Sequence, residues 1–138
     1  MIAALLALLM ALSASVTALQ PSQGTGAVSE AASGFRSVYS VSGRASWYCL
    51  PGRSSCTRGY SSAGYYAAAG PSLRAMLGTN WRGKYVRVCS STYARCVTVR
   101  LVDWCGCPNG RVIDLYARAF QRLAPLSAGL TRVWIIRA

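Results

Sequence analysis

The sequence predicts a compact all-β barrel cross-linked by disulfides, and three observations predict it. The chain has 138 residues, room for one domain and little else. After Gly43 apolar residues recur with period two in short runs, the pattern of half-buried strands. The six cysteines, Cys49, Cys56, Cys89, Cys96, Cys105 and Cys107, are an even set in a small chain, as in exported domains with cores too small to hold alone.

Residues 1–18 read as a signal peptide. Met1 to Leu12 is an uncharged apolar run too short to span a bilayer, and Val16-Thr17-Ala18 fits the small-x-small cleavage pattern. The alternative is a buried N-terminal helix. Residues 19–42 are rich in Ser, Gly, Ala and Thr and read as a flexible linker, or as an arm packed on the domain through Phe35, Val38 and Tyr39. The domain itself is expected over residues 43–138.

Within it, Gly43 to Cys49 is the first strand candidate. Lys84 to Cys89 puts Val86 and Val88 on one face, and Cys96 to Asp103 puts Val97, Val99 and Leu101 on one face with Asp103 next in phase. Val112-Ile113 is a short strand candidate, and Thr131 to Arg137 closes the chain with another. One helix is predicted over Leu115 to Leu123, where Leu115, Ala119, Phe120 and Leu123 share a face before Pro125 and Gly129 break it.

The cysteines read as follows. Cys89 and Cys96 bracket a hairpin and pair across it. Cys105 and Cys107, one glycine apart, do not easily bond each other, so they are expected to reach back to Cys49 and Cys56. No C-x-x-C spacing occurs, which argues against a zinc ribbon.

Charge narrows the chemistry. Fifteen Lys and Arg face three Asp and Glu with no His, a formal charge of +12. The absence of His excludes His-ligated metals and Ser-His or Cys-His catalysis, and Glu30, Asp103 and Asp114 are too few for a calcium or magnesium cage. No metal and no cofactor are expected. The cations are fourteen Arg and one Lys, which fits either an anionic partner or a base composition that favours Arg codons.

Asp103, ending a strand after three in-phase apolar residues, needs a partner or an opening into a groove. Asp114, before the predicted helix, is either a helix cap or a second functional acid. Trp47, Tyr48 and Trp104 flank these positions and offer flat faces on which sugars stack. Trp134, inside an apolar strand, is assigned to the core.

These residues resemble a known family. G-R-A-S-W-Y at Gly43 to Tyr48, V-T-V-R-L-V-D at 97 to 103 and N-G-R-V-I-D-L at 109 to 115 are similar to the ordered signatures of rare-lipoprotein-A-like domains. The eleven-residue interval between the aspartates is shared with that family and with the barrel domain of expansins. The resemblance implies a six-stranded double-psi β-barrel with one or two short helices and a surface groove for cell-wall polysaccharide. Catalytic members are lytic transglycosylases, which implies an acid/base role for Asp103 supported by Asp114. The family's T-A-A-H segment aligns with Ala67-Ala68-Ala69-Gly70, so Gly70 stands where its His would be. The loop Asp103-Trp104-Cys105-Gly106 is closer in style to expansin- and barwin-like proteins. Two readings follow: a secreted peptidoglycan-cleaving enzyme, or a noncatalytic module that binds and loosens wall glycans. Either is expected to act as a monomer, outside the cell or on its wall. Neither calls for nucleic acid or for membrane insertion after signal cleavage.

Overall fold

The computed structural model describes residues 40–53 and 56–138. The expected signal peptide, and all of the expected linker except residues 40–42, lie outside the described residues. Strand β1 spans Ser40–Tyr48, β2 Tyr66–Ala69, β3 Tyr85–Ser90, β4 Arg95–Trp104, β5 Arg111–Tyr116 and β6 Thr131–Arg137. Helix α1 spans Pro71–Leu77, α2 Ala117–Phe120, and a single 3₁₀ turn spans Leu126–Ala128. The strands close into a six-stranded barrel in the order β1-β5-β2-β4-β3-β6, with β6 returning to β1. The pairs β1/β5 and β2/β4 are parallel, and the other four are antiparallel. This is the all-β, disulfide-linked architecture that the sequence predicts.

Period-two alternation explains the core. Val86 and Val88 of β3, Val97, Val99 and Leu101 of β4, Ile113 and Leu115 of β5 and Val133 and Ile135 of β6 all point inward and are buried. Leu73 and Leu77 of α1, with Phe120 and Leu123, pack into the same cluster. β1 begins at Ser40, so the barrel takes three residues from the stretch expected as linker. β2 and α1, which the sequence patterning does not announce, are short and built around Y-A-A-A and P-S-L-R-A-M-L. Pro71 opens α1, where its missing N–H is harmless, and Gly78 (φ 79°) ends it.

Two expectations are corrected. The predicted helix over Leu115 to Leu123 is only Ala117–Phe120, because parallel pairing of Trp47 with Leu115 and of Tyr48 with Tyr116 keeps both residues in β5. The disulfides are Cys49–Cys56, Cys89–Cys96 and Cys105–Cys107. The hairpin pair is therefore present, but Cys105 and Cys107 bond each other rather than reaching back. Cys107 adopts φ 43°, which turns the chain at Gly106 and leaves the two Cα atoms 5.1 Å apart, within ordinary disulfide reach. Cys49, at φ 55°, turns the chain after β1 in the same way and meets Cys56 at 4.8 Å.

Non-reducing peptide mapping is expected to give these three local pairs. A fragment joining Cys49 or Cys56 to Cys105 or Cys107 would contradict the structure. Replacing Cys89 and Cys96 together by Ala is expected to cost about 2 kcal/mol in urea unfolding, the loop entropy of a short closed hairpin.

Candidate functional site

The two aspartates reach one surface through a break in strand register. β2 pairs with β4 as Ala67 with Leu101 and then Ala68 with Asp103, so Val102 is an extra residue, a β-bulge. A one-residue slip moves the following side chain to the opposite face. Leu101 stays in the barrel core, Val102 packs into a separate outer cluster, and Asp103 emerges on the outer face, half-exposed. The sequence phase placed Asp103 on the inward face with Val97, Val99 and Leu101, and the bulge corrects that. A matching shift separates the pairs Arg44–Arg111 and Ala45–Ile113 ahead of Asp114.

The result is a row across four neighbouring strands: Ser46 on β1, Asp114 on β5, Ala68 on β2 and Asp103 on β4. The Cα atoms of the two aspartates are two strand spacings apart, roughly 10 Å. Ala68 stands between them in the register and is buried, and the Tyr48 side chain lies close enough to feel both acids.

Each carboxylate has its own setting. Asp103 Oδ2 accepts a hydrogen bond from Thr57 Oγ1 at 2.8 Å, and Oδ1 accepts one from the Trp104 backbone N–H at 2.8 Å. Both donors are neutral, and neither is a guanidinium. Asp114 Oδ1 accepts from Ser46 Oγ at 2.8 Å, and Arg111 Nη1 in turn donates to Ser46 Oγ at 2.9 Å. Burial raises the Asp114 pKa above the ordinary carboxylate value, against the lowering effects of the Ser46 hydrogen bond and the Arg111 charge. Asp114 is not a helix cap; it lies inside β5, and α2 is preceded by Tyr116 without a side-chain cap.

A tyrosine row borders the acids. Tyr48, Tyr116, Tyr66 and Tyr60 meet edge to face in sequence, with centroids 5.1, 5.4 and 4.9 Å apart. The loop closed by Cys49–Cys56 delivers Thr57, whose N–H donates to Tyr116 Oη at 3.0 Å while its hydroxyl serves Asp103. Since that hydroxyl gives its proton to Asp103, the Tyr48 hydroxyl is the donor in its 3.5 Å contact with Thr57. Burial, reinforced by the nearby Tyr116, Asp103 and Asp114, raises the Tyr48 pKa, so it stays protonated.

Trp104 is 61% exposed beside Asp103. The Arg74 guanidinium lies 5.9 Å from its ring centroid and 6.0 Å from that of Trp81, and Arg82 stacks on Trp81 at 4.7 Å. Trp47, expected with the sugar platform, belongs elsewhere. It points from the opposite face of β1, packs against the barrel core and donates its indole N–H to Leu126 O at 3.0 Å. Trp134, assigned to the core, is 42% exposed, because its neighbours Val133 and Ile135 take the inward positions of β6. Ser46, Thr57, Arg74, Trp81 and Arg111 carry site contacts that the sequence reading assigned to no role. Ser46 and Arg111 stand inside the quoted motifs; Thr57 carries no signal beyond following Cys56.

Gly70 has a steric explanation. Its N–H donates to Val112 O at 2.9 Å, and a Cβ built there would lie 2.6 Å from that oxygen. The backbones approach too closely for any side chain, so the position cannot carry a histidine without moving β5. Among the described residues no group of three or more His, Cys, Asp or Glu could hold a metal ion.

Comparison with known proteins gives a family and a set of fold relatives. Residues 40–135 match the model of the family described as lytic transglycolase. An expansin of Clavibacter michiganensis, solved in complex with cellohexaose, superposes with a TM-score of 0.54 at 22% identity over 72% of this chain and 50% of its own. A Streptomyces papain inhibitor matches with a TM-score of 0.51 at 24% identity, over 71% of this chain and 94% of its own. Cerato-platanin 3 from M. perniciosa gives 0.51 at 16% identity over the same shares. The chain therefore spans half the length of the expansin and nearly all of the two smaller proteins. No curated protein matches the sequence.

The raised Asp114 carboxyl fixes a sign. A group that holds its proton more tightly when folded stabilises the fold below its unfolded pKa, and that stability is lost as pH rises through the folded value. Asp114→Asn, which mimics the protonated acid and still accepts from Ser46, is expected to unfold at higher denaturant than the parent at pH 7. The difference should disappear near pH 3, and lower stability of the variant at pH 7 would contradict the burial argument. Gly70→Ala is expected to cost roughly 1–3 kcal/mol in the same assay, as overpacking does.

Proposed function

The chain belongs to the lytic transglycolase family, and from that premise we propose that it cleaves glycan strands of cell-wall peptidoglycan outside the cytoplasm. The observation that carries this reading is the register that brings Asp103, Ala68 and Asp114 level on one barrel face, two part-exposed carboxyl groups in unlike settings on either side of a buried alanine.

The division of labour follows from those settings. Asp114, whose carboxyl burial shifts toward the protonated form, is assigned as the general acid, since of the two it is the one whose setting favours carrying a proton. It protonates the glycosidic oxygen as the bond from C1 breaks. Asp103, oriented by Thr57 and the Trp104 N–H, accepts the proton of the sugar's own 6-hydroxyl as that oxygen closes on C1. The product is a 1,6-anhydro sugar; no water is consumed, and one proton moves from Asp114 to the leaving group while another arrives on Asp103. Transfer between the two acids through solvent resets the pair. Tyr48 stays a hydroxyl donor at the groove floor, and Trp104 with Arg74 extends the groove as a stacking platform. The disulfides and the positive charge suit a protein working on acidic wall polymer in an oxidising compartment.

A second reading is favoured by one observation, the exclusion of a side chain at Gly70. In that reading the barrel binds and loosens wall polysaccharide without turnover, as an expansin-like module. Binding of cellohexaose by the expansin relative supports a polysaccharide ligand for this groove.

Purified protein incubated with peptidoglycan is expected to release anhydro-muropeptides detectable by mass spectrometry. Asp114→Asn and Asp103→Asn should each lower that release by about a hundredfold or more, the usual scale for losing a positioned acid or base. Sedimentation with the wall and no released fragments would select the binding module. Release that is unchanged in both variants would refute the assigned roles.

A further inference from the structure

A second surface lies on the wall formed by β1 and β6, away from Asp103. Strand register aligns three arginines side by side: Arg44 on β1 pairs with Arg111 on β5 and with Arg132 on β6. Like charges directly opposite one another weaken a sheet, so the fold gains nothing from this row. Of the side-chain carboxylates among the described residues, Asp114 faces Arg111, while no ion pair with Arg44 or Arg132 is formed. Arg111 is engaged with Ser46, and Arg44 donates to Asn109 O, a neutral carbonyl. Arg132 is exposed, and its guanidinium has no partner among the described residues.

One row further along, Trp134 pairs with Ser42 and stands out from the wall, 42% exposed. Between it and the arginines lies an open depression of about 520 Å³ lined by Ser42, Arg44, Ser91, Arg132 and Trp134. It continues past Arg44 and Arg132 to a smaller hollow of about 190 Å³ beside Tyr93 and Leu130. Trp134 and Arg132 are two residues apart on one face of β6, a separation of roughly 7 Å.

We propose that this wall binds a carboxylate-bearing polysaccharide, with a pyranose ring stacked on Trp134 and sugar carboxylates gripped by Arg132 and Arg44. The argument is complementarity of both kinds. A guanidinium presents paired donors that match a carboxylate, and an exposed indole presents a flat apolar face that matches a sugar ring. A flexible phosphate polymer without rings would use the arginines and leave Trp134 idle. The disulfides place the protein where wall polymers, rather than nucleic acids, are the abundant polyanions. The surface is independent of turnover at Asp103 and Asp114; it would anchor the barrel on an acidic wall whichever reading of that groove holds.

The test is binding of the purified protein to polygalacturonate at moderate salt by isothermal titration calorimetry, with inorganic polyphosphate and single-stranded DNA as parallel probes. Trp134→Ala and Arg132→Gln, both at exposed positions, are each expected to weaken polygalacturonate binding about tenfold or more. Arg118→Gln, an equal loss of charge on the exposed side of α2, should change it less than twofold. Polyphosphate binding should respond to Arg132→Gln and not to Trp134→Ala. Circular dichroism melts confirm that each variant is folded. Anhydro-muropeptide release from peptidoglycan is read separately: polygalacturonate binding that depends on Trp134 and Arg132 without any such release sinks the cleavage reading alone, and release without that dependence sinks this one alone. The proposal is overturned if Arg118→Gln weakens binding as much as Arg132→Gln, if Trp134→Ala has no effect on polygalacturonate, or if DNA binds more tightly with the same dependence on Trp134.

Discussion

The parallel pairing of β2 with β4, displaced by one residue at Val102, is the constraint on which the site depends. Without the bulge, the alternation that buries Val97, Val99 and Leu101 would carry Asp103 into an apolar barrel. An ionised carboxylate there would cost several kcal/mol at least. With it, Leu101 remains inside, Val102 joins the tyrosine cluster, and Asp103 comes level with Asp114 across Ala68. The related shift between β1 and β5 does the same service on the other side, which places Ser46 against Asp114. Small residues permit this closeness. Ala67, Ala68 and Ala69 fill β2 with methyl groups, and Gly70 lets the chain run against Val112 with no side chain at all.

What the sequence made legible was whatever obeys simple periodicity. β6 was readable to the residue, and β3, β4 and the hairpin disulfide to within a residue, because Val86, Val88, Val97, Val99, Val133 and Ile135 alternate without interruption. Legibility failed wherever tertiary pairing overrode a local pattern. Leu115 and Tyr116 fit a helical spacing, yet parallel pairing with β1 holds them extended. β2 was invisible because three alanines carry no alternation. The bond between Cys105 and Cys107 depends on a positive φ at Cys107 that no spacing rule announces. The candidate site was half legible. Strand phase and position singled out Asp103 and Asp114, with Tyr48 and Trp104 as flanking aromatics, while Thr57, far away in sequence, meets Asp103 only through the folded loop. Trp47 and Trp134 were each assigned to the wrong side of a strand, since a single aromatic residue does not reveal which face of its strand it occupies.

Charge distribution ties the two surfaces together. Arg111 stands where they meet: its guanidinium reaches Ser46 on the Asp114 side, and its register partner Arg44 begins the cationic wall. A polyanionic strand drawn to Arg132 and Arg44 would thus lie within a few residues of the acid pair. The same field opposes protonation of a carboxyl group, and burial of Asp114 outweighs it. That balance shifts one carboxyl toward its protonated form even in an arginine-rich barrel.

The most direct measurement of the account is a carbon-13 NMR titration of the two aspartate carboxyl groups, with and without a short peptidoglycan glycan fragment. The account predicts that Asp114 titrates above the ordinary carboxylate range in the free protein and that both carboxyl resonances move when glycan is added. Titration of Asp114 at or below the ordinary value, or carboxyl resonances that ignore the glycan, would contradict it.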